Sequence, residues 1–144
     1  MTTGMESLGL LMGHLLGDYV LQNDWMAANK TNPNPGPEPS DPYEVIEWRA
    51  RWEGWLDGHA ACTVHCLFYT LAVWACSFWW MPWWGLAVCF ACHWPLDRFR
   101  LAGRWMRNVS GQAAFAGGVL SPWSVIVVDN TAHLLTLFVI GLLA

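Results

Sequence analysis

Four apolar segments, each close to the length needed to cross a bilayer, govern how this chain can fold. They run roughly from Met5 to Asn23, Gly58 to Trp80, Trp83 to Leu101 and Pro122 to Leu143. A helix crosses the hydrocarbon core in about 20 residues. In lipid, each backbone N–H and C=O must find its partner inside the segment, which selects helix for all four. Composition agrees: of 144 residues, 55% are hydrophobic, 12% are charged and 12 are tryptophan. A soluble domain is about 25% charged. The expectation is a single transmembrane domain over residues 1–144. It is all-α, an integral membrane protein of four transmembrane helices in an antiparallel bundle.

The connections are uneven. Spans two and three meet at WWMPWW, a turn at Pro82, with Trp79, Trp80, Trp83 and Trp84 as an interfacial aromatic belt. Spans one and two are separated by TNPNPGPEPSDP, residues 31–42, whose five prolines exclude helix and strand. Next comes YEVIEWRARWEGW, where Ile46, Trp48, Trp52 and Trp55 share a broad face. That predicts a short amphipathic helix over about 43–56, lying on the membrane surface. The loop over 104–121 specifies no element. Cys62, Cys66, Cys76, Cys89 and Cys92 read as small packing residues, not as a disulfide framework. The first apolar run lacks a basic n-region and an A-x-A site, so it is expected to be retained.

The seven basic residues set the orientation. Lys30, Arg49 and Arg51 fall between spans one and two; Arg98, Arg100, Arg104 and Arg107 fall at and after the end of span three. Both loops share a side, which the positive-inside rule assigns to the cytoplasm. The Pro-rich loop is then cytoplasmic and both termini are outside.

Against this apolar background stand His14 and Asp18, His65, His93 and Asp97, and Asp129 and His133. Three of the four spans carry a His/Asp pair at i, i+4, on one helical face. At 1.5 Å per residue, all seven groups lie roughly 6 to 17 Å from the cytoplasmic boundary. Each ionisable group costs about 2.5 kcal/mol or more in hydrocarbon. Hydrogen-bonded glue between helices returns only about 0.6 kcal/mol per bond. A divalent ion neutralises the carboxylates and suits imidazole–carboxylate ligation, so a metal centre is the stronger reading. The expected ligands are His14, Asp18, His65, His93, Asp97, Asp129 and His133, holding one or two ions of zinc or manganese. Asp18, Asp97 and Asp129 are also the candidate catalytic carboxylates. Gln22, Tyr69 and Asn130 are candidates to orient ligands from behind. His59 lies six residues from His65 on another face and is expected to be solvated. Arg98, Arg100 and Arg104 are either a positive-inside anchor or contacts for substrate phosphate or lipid headgroups.

The blocks HLLGDYVLQNDWMAANK, HCLFYTLAV, HWPLDRFRLA and WSVIVVDNTAHLL resemble the hallmark blocks of the domain of unknown function 3307 family. Its members are small integral membrane proteins of bacteria and their phages. The resemblance covers all four spans and includes Trp25, Lys30 and Arg98 besides the residues above. It implies a multi-pass protein of the bacterial inner membrane. A looser similarity connects the chain to predicted membrane-bound metal-dependent hydrolases under LexA control.

These readings converge on metal-dependent hydrolysis of a phosphoester, free or lipid-linked, from the cytoplasmic side. Water is the expected nucleophile, since no Ser or Cys motif is evident. The alternatives are a non-enzymatic phage or prophage protein binding host membrane partners, with a structural metal centre, and a metal or proton transporter. The bilayer is the expected partner, with a phospholipid or lipid-linked phosphate as substrate. A homo-oligomer is compatible with the sequence, and no nucleic acid is expected. An enzyme further requires a water-accessible cavity reaching the His/Asp layer between spans one, three and four.

Overall fold

The computed structural model describes residues 3–31, 42–77 and 80–144. Among them every regular element is helical. The elements are α1 (Thr3–Leu15), a π turn (Leu16–Val20), α2 (Asp24–Asn29), α3 (Pro42–Cys76), α4 (Trp83–Arg98), α5 (Leu101–Asn108), α6 (Ala113–Gly117) and α7 (Trp123–Leu143). The Pro-rich loop lies almost wholly outside the described residues, as do Trp79 of the aromatic belt and the Ile46 side chain.

Two helices are long and apolar enough to cross a membrane: α3 from Glu47 onwards, and α7. The other two expected spans are helical but shorter. α1 passes into the π turn at Leu16. α4 stops at Arg98, where Arg100 takes a left-handed backbone conformation (φ 50°, ψ 47°) and redirects the chain into α5. The separate surface helix expected over 43–56 is not a separate element. Tyr43 to Cys76 contains no proline, and its two glycines do not break the ladder, so the segment continues into span two as one 35-residue helix. α5 and α6 occupy the loop that specified no element.

α1 lies directly against α3. The contact is made by Gly9, Gly13 and Gly17, one glycine per turn. A Cβ on Gly9 would collide with the Cys76 carbonyl; on Gly13 it would lie 2.5 Å from Val73 Cα, and on Gly17 2.6 Å from the Tyr69 ring. Small residues at this spacing let two helix backbones approach closely, as in membrane helix pairs. His14 and Asp18 each follow one of these glycines, so the close approach carries both towards α3.

The bundle has two layers. Leu10, Tyr69, Val73, Cys89, Leu137 and Ile140 form an apolar cluster. It occupies the end where α1 and α4 begin and α3 and α7 finish. The opposite layer buries His14, His65, His93, Asp97 and His133, each no more than 4% exposed. Outward faces are apolar: Leu8, Leu15, Leu67, Leu71, Leu135, Phe138 and Leu142 are all more than 40% exposed.

Candidate metal centre

Asp18 reaches the centre from the π turn. The ladder there runs i to i+5, with Leu21 N–H donating to the Leu16 carbonyl at 2.9 Å. Single π turns recur at functional sites because they re-aim a side chain without ending the helix. Asp18 Oδ1 then lies 3.2 Å from His65 Nε2 on α3 and 3.5 Å from His93 Nε2 on α4. Asp97, one turn beyond His93, places Oδ2 3.0 Å from His65 Nε2 and 3.2 Å from His93 Nε2. The two imidazole nitrogens are 3.1 Å apart.

These four atoms, one from each of four residues on three elements, have five mutual distances between 3.0 and 3.5 Å. A tetrahedral ion with ligand bonds of about 2.0–2.1 Å has ligand–ligand edges of about 3.3 Å. Asp18 Oδ1 is buried and makes no hydrogen bond despite its two close nitrogens. Asp18, His65, His93 and Asp97 therefore form a group able to hold a metal ion.

A second group shares Asp97. Its Oδ1 lies 3.4 Å from His133 Nε2, which is 3.5 Å from Asp129 Oδ2 on the preceding turn of α7. His133 Nε2 is likewise buried without a hydrogen bond. Asp97, Asp129 and His133 offer three ligands to an ion, with Asp97 able to bridge the two groups. Four protein ligands characterise structural metal sites, and three leave a position for water or substrate.

His14 stands outside both groups. Its Nε2 faces the Asn130 amide oxygen at 2.9 Å and therefore donates; Nδ1 lies 3.1 Å from Tyr69 Oη and 3.3 Å from Asp18 Oδ2, the carboxylate to which a proton on Nδ1 is directed. With both ring nitrogens engaged, His14 orients Asp18. Tyr69 and Asn130 hold His14 in turn, and Asn130 also donates from Nδ2 to Tyr19 Oη. The Gln22 amide oxygen is buried without a hydrogen-bond partner.

Lys30 was not among the expected site residues. Asn23 caps α2 by accepting from Met26 N–H at 2.9 Å, and this short helix returns the chain to the bundle. Lys30 Nζ then donates to Asp97 Oδ2 at 2.7 Å and lies 3.4 Å from His65 Nε2. Burial opposes the ammonium, but the Asp97 carboxylate outweighs it and raises the Lys30 pKa above the ordinary lysine value.

The arginines divide. Arg98 is buried, donates to the Trp55 carbonyl at 3.2 Å and lies over the Trp55 ring. It braces α4 on α3. Arg100 donates to Thr31 Oγ1, and Arg104 is exposed. A cavity of about 300 Å³ opens beside the second metal group; Lys30, Asp97, Arg100, Arg107 and Asp129 contribute to its wall. Arg100 and Arg107 thus face it, whereas Arg98 and Arg104 do not.

His59 is not freely solvated. It is half-buried, stacked on Trp94 with ring centroids 5.4 Å apart and edge-on to Trp55. Cys62, Cys66 and Cys89 are buried, all five cysteines are free, and none belongs to either group.

No family model, curated protein or solved structure matches the chain.

Proposed function

We propose that the protein is a four-span membrane hydrolase that cleaves a phosphoester at a divalent metal centre facing the cytoplasm. One observation carries the reading. Asp97 and Asp129 of the three-ligand group share a cavity wall with Lys30, Arg100 and Arg107. Carboxylates for an ion and cations for phosphate oxygens thus meet in one open space.

The bundle's polarity supports the membrane. A soluble protein buries apolar side chains and exposes charge. Here four histidines and Asp97 are buried, while leucines and phenylalanines cover the outside. The seven Lys and Arg residues all fall between spans one and two or at and after the end of span three, which supports an orientation with both termini outside. In this reading α1 with the π turn, and α4, supply the other two spans. The same blocks carry the resemblance to the domain of unknown function 3307 family.

Asp97, Asp129 and His133 would hold a divalent ion, which would supply Lewis acidity and lower the pKa of a water. The chain's own residues supply the rest. Lys30, Arg100 and Arg107 bind and orient phosphate oxygens. Asp129, about one-third exposed, can take a proton from the attacking water. The four-ligand group ties α1, α3 and α4 together and fixes Asp97.

The test compares activity with stability. Asp129→Asn should lower hydrolysis of an aryl phosphate by purified protein about a hundredfold or more. Its melting temperature should fall by no more than loss of that one ion accounts for. If activity and stability fall together for every ligand replaced, the centre is a scaffold and the protein is an interaction protein.

A further inference from the structure

Beside the polar cavity runs an apolar groove of about 570 Å³ between α4, α5 and α7. Its walls include Leu96, Leu101, Trp105, Val128 and Leu135. Leu96 and Ala102 line both spaces, so groove and cavity share an edge. The neighbouring cavity ends on three cations; the groove carries no charged residue at all.

We propose that the substrate is a phosphate-bearing lipid of the cytoplasmic leaflet, its phosphate in the cavity and one hydrocarbon chain in the groove. This rests on the hydrolase reading and names its substrate class. Direction along α7 supports the assignment. Val128, at the head of the groove, neighbours Asp129 in the cavity wall. From Val128 to Leu135 the groove descends about 10 Å along the helix, away from the cytoplasmic end. A lipid of that leaflet has the same polarity, with its headgroup at the cytoplasmic surface and its chain towards the midplane. Trp105 is half exposed at the groove's upper rim, where an indole suits the headgroup boundary. A soluble phosphoester would use the cavity alone and leave the groove unread.

Binding should therefore depend on chain length. The probes are dioleoyl phosphatidic acid, dihexanoyl phosphatidic acid and inorganic phosphate. They are presented to the full chain in phosphatidylcholine nanodiscs, and bound species are counted by native mass spectrometry. The long-chain lipid should bind about tenfold or more tighter than the short-chain one. Thr131→Trp should abolish that preference by filling the groove, and Leu135→Trp is a second variant at another exposed position. Paired Arg100→Gln and Arg107→Gln should weaken all three probes. Equal binding of the two lipids by wild-type protein overturns the proposal, as does a preference surviving in both tryptophan variants. Aryl phosphate hydrolysis by the same samples separates the two readings. Hydrolysis without chain preference removes the lipid proposal alone; chain preference without hydrolysis removes the hydrolase alone.

Discussion

His65 and His93 direct their Nε2 atoms at one another across 3.1 Å, with Asp97 Oδ2 close to both. One proton can occupy the space between two imidazole nitrogens, but it cannot also serve the carboxylates on either side. A cation at the common centre satisfies all of them.

Metal content follows from that arrangement. Purified protein should retain one or two divalent ions, zinc or manganese, after dialysis. His65→Ala or His93→Ala should remove an ion from the four-ligand group, and Asp129→Asn should empty only the three-ligand one. At an ion concentration about a hundred times the Kd, occupancy stabilises the fold by about 2.7 kcal/mol, so chelation should lower the melting temperature. Elemental analysis with thermal melts checks both points. Metal-free wild-type protein that melts normally with or without added ion would count decisively against the centre.

His14 should behave unlike the other histidines. Because it touches Asn130, Tyr69 and Asp18 and lies in neither group, His14→Ala should leave the ion count unchanged. Affinity should fall about tenfold to a hundredfold, the usual consequence of losing a group that orients a ligand. Tyr69→Phe should act in the same direction at a cost of about 1 kcal/mol. Titration with a fluorescent zinc competitor measures both. Loss of a whole ion in His14→Ala would make it a ligand after all.

Lys30 and a metal ion both neutralise Asp97. Breaking a buried ion pair by removing one partner costs about 3 kcal/mol or more. Lys30→Met should therefore destabilise chelated protein by that order and metal-loaded protein by much less. Melting curves of both forms, wild type beside variant, give the comparison. Equal destabilisation in the two forms would show that Lys30 and the ion do not share Asp97.

The glycine contact predicts a positional effect. A Cβ at Gly13 meets the Val73 backbone, whereas a Cβ at Gly4 meets nothing within 4 Å, so Gly13→Ala and Gly4→Ala should differ. The first should cost about 1–3 kcal/mol by overpacking and weaken metal binding, because the π turn that follows α1 carries Asp18. The second should do neither. Chemical denaturation in detergent together with metal titration measures the pair; equivalent behaviour would place α1 away from α3.

Much of the centre was legible because a helix puts i and i+4 on one face. His14–Asp18, His93–Asp97 and Asp129–His133 were visible as pairs, and their side chains meet at 3.3, 3.2 and 3.5 Å. What spacing along one helix does not give is which pair faces which. Asp97 belongs to both groups because α4 lies between α3 and α7, a tertiary fact. Lys30 counted towards orientation and belonged to the resembling blocks, but was given no place in the site, since nothing local shows that α2 turns back. Arg98 was open to two readings, a positive-inside anchor or a headgroup contact, but a residue one position from Asp97 lies about 100° around the helix, here towards Trp55. The G-x-x-x-G-x-x-x-G run was in plain view and needed only the small-residue rule for helix pairs in lipid. The continuity of α3 was hidden by its change in polarity, which marks a change of surroundings and not of backbone.

The π turn also makes chain length part of the site. Leu16–Val20 accommodates one residue more than an α-helical ladder would over the same turn. Deleting a single residue there would restore the ordinary ladder and remove the bulge that aims Asp18. The carboxylate would turn away from His65 and His93, even where the residue deleted is not itself a ligand. Insertions and deletions in this segment are thus as consequential as substitutions of the ligands, and homologous chains that share the centre should keep a constant count from Gly17 to Lys30.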